Sequence, residues 1–112
     1  LCTLYALTNG NANIERAGLA PYFAGAFSSA DVGASKPDPA MFHAALAATG
    51  LDPHAAVHVG DNLVDDIQGA QNVGMKTVWV NFDDAVPETD GPRPDAIVTS
   101  LRELPDAIAR LR

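Results

Sequence analysis

The sequence predicts an α/β fold with a mostly parallel sheet, because short apolar strands alternate with capped helical segments along its length. Three runs carry that expectation. Val57-His58-Val59 is apolar, breaks at Gly60 and passes directly into a helix start. Lys76 to Val80 is a continuous β-rich run of the kind that parallel sheets bury on both faces. Cys2 to Leu7 is a third apolar run, upstream of both.

Each element has its own local reason. Cys2 to Leu7 ends in the turn Thr8-Asn9-Gly10-Asn11, whose residue types favour reversal. A short helix is expected around Asn13 to Ala17, halted near Gly18 and Pro21, and then a short strand at Ala26-Phe27-Ser28. Asp38 as N-cap and Pro39 at the first helical position start a helix that reaches about Thr49, where Gly50 suits the C-terminal cap. Met41, Ala45 and Ala48 share one face of it, with Phe42 and Leu46 beside them, so it should pack on the sheet. Ala56 to Val59 is the next strand, and a helix from about Val64 to Val73 stops at Gly74. Residues 81–94, with four acidic residues, three prolines and a glycine, read as a surface loop. Ala96-Ile97-Val98 is the last strand. Ser100 and Glu103 form a capping-box pattern, and Leu104, Ile108 and Leu111 give the final helix one apolar face.

Composition narrows the function classes. A chain of 112 residues with 47% apolar content fits one globular unit with a real core. At this size folding buries somewhat over about 60% of the unfolded surface, so a missing central element would be felt. Seven basic against fourteen acidic residues, a net charge of −7, argues against nucleic acid or an anionic membrane as partner. It does not argue against a phosphorylated substrate, because a local metal and one lysine outweigh a diffuse negative field at the site itself. The single cysteine, Cys2, allows no internal disulfide and fits a reducing cytoplasm. No apolar run approaches the roughly 20 residues of a membrane span.

The chemistry-bearing residues sit where strands end. Asp61 follows the strand-ending Gly60, and Asp65 and Asp66 lie one turn further on. Carboxylates beyond the carboxyl end of a parallel strand are hard oxygen ligands of the type Mg2+ selects. Asp61 by itself reads equally well as an N-cap of the following helix. Upstream, Thr8 offers a hydroxyl, and Asn9 and Gly10 offer backbone N–H groups at a turn, while Lys36 stands just before a helix start. A hydroxyl with backbone donors, a lysine and an acidic cluster, in that order, form a phosphate-plus-metal constellation.

Thr8, Lys36 and Gly60-Asp61-x-x-x-x-Asp66 together resemble the second, third and fourth motifs of the haloacid dehalogenase-like (HAD) hydrolase superfamily. The run from Asp66-Ile67-Gln68-Gly69-Ala70 to Gly74-Met75 is similar to the stretch that follows the acidic motif in phosphatases of that family. The resemblance implies a Rossmann-like three-layer sandwich and a Mg2+-dependent phosphatase acting on a small phosphorylated metabolite through an aspartyl-phosphate. It implies that Thr8, Asn9, Gly10 and Lys36 bind the phosphate and that Asp61 holds Mg2+. Asp66 would stand behind them, orienting Lys36 or a metal-bound water. Asn62 would cap the helix or touch the Thr8 loop, and Asp65, about 100° around a helix from Asp66, should not face the metal with it. Among bacterial members, those acting on flavin mononucleotide and its precursors look most similar.

The Asp-x-Asp motif that carries the family's nucleophile occurs nowhere in residues 1–112. The chain therefore reads as the C-terminal part of a HAD-like core, with the nucleophile strand and the cap domain upstream. In that family the nucleophile strand lies between the Thr8 strand and the Asp61 strand. An ordered structure is expected to fill this lane with an upstream segment, with a strand from another copy, or by pairing the two strands directly. Two rivals stand beside the phosphatase reading. One is a 2-haloacid dehalogenase, whose members carry Ser-Ser-Asn where this chain has Val59-Gly60-Asp61; the other is a non-catalytic interaction module. His43, His54 and His58 lack ligand-like spacing and read as structural or solvated, and Trp79 reads as core.

Overall fold

The computed structural model describes residues 3–9, 18, 23–86 and 90–111. The expected helix at Asn13 to Ala17, Cys2 and the proposed phosphate ligand Gly10 lie outside them. Strand β1 (Tyr5–Thr8) pairs in parallel with β2 (Gly25–Ser28), with Tyr5 opposite Gly25 and Thr8 opposite Ser28. A one-turn helix α1 (Ser29–Val32), capped by the Ser28 hydroxyl, leads through a loop to α2 (Pro39–Thr49). Strands β3 (Val57–Gly60), β4 (Lys76–Val80) and β5 (Ala96–Val98) form a second parallel sheet in that order. A wide turn (Leu63–Gln68) running into α3 (Gly69–Asn72) connects β3 to β4, and α4 (Leu104–Leu111) closes the described chain.

The local signals set these boundaries. The Asp38 carboxylate accepts from Ala40 N–H at 2.9 Å, Pro39 opens α2, and Gly50 ends it at φ 68°, a conformation that costs glycine least. Glu103 closes the capping box by accepting from the Ser100 N–H at 2.9 Å. Alternation along β3 divides the core. Val57 and Val59 join Val78, Val80, Val98 and Ala107 under α4, with Leu104 and Leu111 packed against them. His58 points the other way, edge-on to Phe42 of α2 at a centroid separation of 5.0 Å. Met41, Phe42, Ile67 and Ala70 are fully buried on that side, so helices cover both faces and the arrangement has three layers.

Two expectations are corrected. Ala48 does not belong to the buried face of α2; it is exposed near the helix end, while Met41, Phe42 and Ala45 are buried. The helix expected from about Val64 to Val73 begins as π-helix. The Asn62 carbonyl accepts from both Asp66 N–H (3.0 Å) and Ile67 N–H (3.2 Å), which widens the first turn. The strands form two parallel sheets, in keeping with the expected α/β fold and its mostly parallel, incomplete sheet. Among the described residues no backbone pairing joins β1 to β3, so direct pairing of those two strands is not the arrangement adopted. The Lys36 and Asn9 side chains described below link the ends of the two strands.

Candidate active site

The proposed ligands lie at the carboxyl ends of β1 and β3 and on the loop before α2. Thr8 ends β1 and is half-buried, and Asn9 follows it into solvent. The Asn9 amide clamps the loop: its Oδ1 accepts from Lys36 N–H at 2.8 Å and its Nδ2 donates to the Lys36 carbonyl at 3.3 Å. The same Nδ2 reaches Asp65 Oδ2 at 3.5 Å. The sequence points to a backbone role for Asn9; the side-chain clamp is not legible there.

Lys36 turns its ammonium inward, where it donates to the Leu7 carbonyl at 3.0 Å and to Asp66 Oδ1 at 2.7 Å. An ammonium has three donors, so among the described residues two are spent on aiming it and one is left for a ligand. Asp66 is buried and its carboxylate is fully engaged. Oδ1 also faces His58 Nε2 at 3.1 Å, and Oδ2 accepts from Asn62 N–H at 3.2 Å. Burial alone would raise this carboxyl, but hydrogen bonds from His58 and Lys36 and the Lys36 charge outweigh it and hold the group well below the ordinary carboxylate range.

Gly60 is what makes room for this carboxylate. A Cβ on Gly60 would lie 2.3 Å from Asp66 Cβ and Cγ, closer than atoms can approach. The strand must therefore end in glycine for the Asp66 side chain to lie across it. Asn62, not Asp61, caps the following turn, with Oδ1 accepting from Val64 N–H at 3.0 Å and Asp65 N–H at 2.9 Å. Asp61 is therefore not the cap. It is exposed, its carboxylate makes no hydrogen bond or ion pair with the described residues, and its backbone carbonyl accepts from the Trp79 indole at 3.0 Å. Trp79 is buried core, as expected, and also pins the loop that presents Asp61.

The Asp61 carboxylate is an oxygen donor open to solvent, and Mg2+ commonly binds through one or two carboxylates, with waters and substrate phosphate completing its shell. The donor chemistry therefore fits that ion. No group of three or more acidic, histidine or cysteine side chains converges among the described residues, so they do not form an all-protein cage.

His58 is the site residue that its spacing in the sequence does not reveal. It is buried against Asp66 rather than solvated, and a signal for this exists: strand alternation puts position 58 on the same face as Gly60, the face that Asp66 covers.

Parallel strands with a lysine–carboxylate pair and an open aspartate at their carboxyl ends place these groups where α/β folds bind their ligands. The chain belongs to the HAD-hydrolase-like family, whose profile matches residues 33–104. A phosphoserine phosphatase of Thermus thermophilus is 42% identical over 103 residues, covering 88% of this chain and 41% of that protein. An N-acylneuraminate-9-phosphatase of Rattus norvegicus is 38% identical over 108 residues, covering 91% of this chain and 44% of that protein. The crystal structure of a 2-haloacid dehalogenase from Pseudomonas syringae pv. Tomato superimposes with a TM-score of 0.93 at 47% identity, covering 98% of this chain and 47% of that one. The chain thus spans less than half the length of these relatives. Among the described residues no helix is long and apolar enough to cross a membrane.

Proposed function

We propose that the intact protein is a Mg2+-dependent phosphatase acting on a small phosphorylated metabolite, and that this chain supplies the phosphate- and metal-binding part of its core. The observation that carries the reading is the Lys36 ammonium, fixed between the Leu7 carbonyl and Asp66 with the Asp61 carboxylate left open. The phosphatase relatives support it, and the ester they share, rather than a flavin, bounds the substrate class.

In this reading the Thr8 hydroxyl and the backbone N–H groups of Asn9 and Gly10 receive phosphate oxygens, and Lys36 places a pre-aimed positive charge beside them. Asp61 would hold Mg2+, which supplies charge neutralisation and orientation when bound. An upstream aspartate carboxylate attacks phosphorus, and the second aspartate of the Asp-x-Asp motif protonates the departing alkoxide. Water, losing its proton to that second carboxylate, then hydrolyses the acyl phosphate to inorganic phosphate. The lane between β1 and β3 is occupied by that upstream segment or by a strand from another copy. A reducing cytoplasm remains the compartment that the lone Cys2 fits.

The test is turnover of phosphate esters by the intact protein with and without Mg2+, beside residues 1–112 alone. Turnover by the intact protein only, and only with the metal, is expected. Rapid Mg2+-dependent turnover by residues 1–112 alone would overturn the assignment of the nucleophile to an upstream segment. The dehalogenase reading is supported by the 47% identical solved structure. Halide release from 2-haloacids without metal, and no phosphate release, would select it; neither activity would leave the interaction module.

A further inference from the structure

Asp66 Oδ1 serves two donors at once, Lys36 Nζ at 2.7 Å and His58 Nε2 at 3.1 Å. An ionised carboxylate only accepts, so the His58 contact fixes a proton on Nε2 of the ring. The ring is itself held in place. It is 8% exposed and stands edge-on to Phe42, at an interplanar angle of 86°. A continuous path of contacts therefore runs from the core of α2 through His58 and Asp66 to the Lys36 ammonium. Lysine carries its charge on a flexible four-carbon stem, so its aim depends on whatever fixes its acceptors. One of these is the Leu7 carbonyl, part of β1; the other is a side chain that can rotate.

We propose that His58 is a positioning residue, whose Nε2–H fixes the Asp66 carboxylate and thereby aims the Lys36 ammonium at the anion site. A histidine whose part was packing alone would need no carboxylate at its tip. Here both ends of the ring are engaged, Phe42 along its edge and Asp66 at Nε2. Preorganised charge is effective because it needs no reorganisation during reaction, which makes the support of Lys36 part of the site's function. Only the kinetic arm of the test rests on the phosphatase reading.

The experiment compares His58→Leu, which keeps bulk and removes the donor, with His58→Gln, which returns an N–H near the Nε2 position, in the intact protein. The first readout needs no turnover: the 1H–15N signal of the Lys36 ammonium, assigned with Lys36→Arg. It should be sharp in the wild type, broadened or lost to solvent exchange in His58→Leu, and recovered in His58→Gln. The second is the kinetic split. His58→Leu should lower kcat about 10- to 100-fold while KM changes little, as a misaimed charge does, and His58→Gln should return most of that loss. Unchanged Lys36 signal and kcat in His58→Leu overturn the proposal. So does a loss that His58→Gln fails to recover, which marks His58 as packing only. If His58→Leu does not fold, the ring decides in the wild type, where a proton on Nδ1 instead of Nε2 overturns it. A wild type without phosphatase turnover refutes the functional reading and leaves the ammonium signal to judge this one.

Discussion

Lys36 Nζ lies 2.7 Å from Asp66 Oδ1, and the same ammonium donates to the Leu7 carbonyl, so one side chain joins the carboxyl ends of two sheets that share no backbone pairing among the described residues. Lys36 is partly buried and Asp66 buried, with side-chain exposures of 10% and 8%. Charge at the site and part of the cohesion between the sheets therefore depend on this contact.

Removing the lysine should affect both. Breaking a buried pair by deleting one partner costs about 3 to 5 kcal/mol, and the His58 and Asn62 donors that Asp66 retains place Lys36→Met near about 3 kcal/mol. Urea unfolding followed by the fluorescence of the single tryptophan, Trp79, measures it. In the intact protein, on the proposed function, kcat should fall about 100- to 1,000-fold, as for loss of a preorganised charge. A variant with normal stability and kcat would remove the pair from both roles.

Asp66 should shape the acid limb of stability. Its folded pKa is depressed, so its contribution is present above the unfolded value of about 4 and is lost as pH falls towards the folded one. The wild type should lose stability more steeply than Asp66→Asn as the pH drops from about 5 towards 2. Parallel urea midpoints for the two proteins across that range would contradict the assignment.

At Gly60 the steric argument is direct. Gly60→Ala places a methyl 2.3 Å from the Asp66 side chain, which must move off the strand and away from Lys36. Destabilisation should reach at least the upper end of the about 1 to 3 kcal/mol typical of overpacking. Activity should fall further than at Asp65, because the displaced carboxylate is the one that aims the ammonium. A melting temperature matching the wild type would sink this.

Asp61 and Asp65 should separate cleanly. Asp61 is exposed and its carboxylate is unengaged among the described residues, so Asp61→Asn should leave thermal stability unchanged while removing most activity, with only partial rescue by added Mg2+. Among the described residues the Asp65 carboxylate meets the Asn9 amide, at 3.5 Å, and Asp65→Asn should be mild. Equal kinetic effects in a Mg2+ titration of the two variants would show that the acidic cluster is assigned wrongly.

Much of the frame is legible in the amino-acid sequence. The bounds of α2 follow from Asp38, Pro39 and Gly50, and those of the last helix from Ser100 and Glu103, because caps act within one turn of the backbone they satisfy. Strands β4 and β5 fall where the apolar runs lie, at Lys76–Val80 and Ala96–Val98. The π-helical opening after β3 is hidden because a π-turn leaves the same apolar spacing over so short a segment, and the exposure of Ala48 because periodicity does not say where the covering surface stops.

Local sequence sets the order of the elements, their caps, the glycine at the end of β3 and the residue types gathered at the strand ends, all of which depend on neighbours a few positions away. Which carboxylate does what is settled only by tertiary contacts. Asp66 turns in to a lysine 30 positions distant, Asp65 turns to an amide 56 positions distant, and Asp61 is left open because Asn62 takes the cap. Those choices follow from where β1, the Lys36 loop and the widened turn meet, and no local propensity encodes a contact made across such separations.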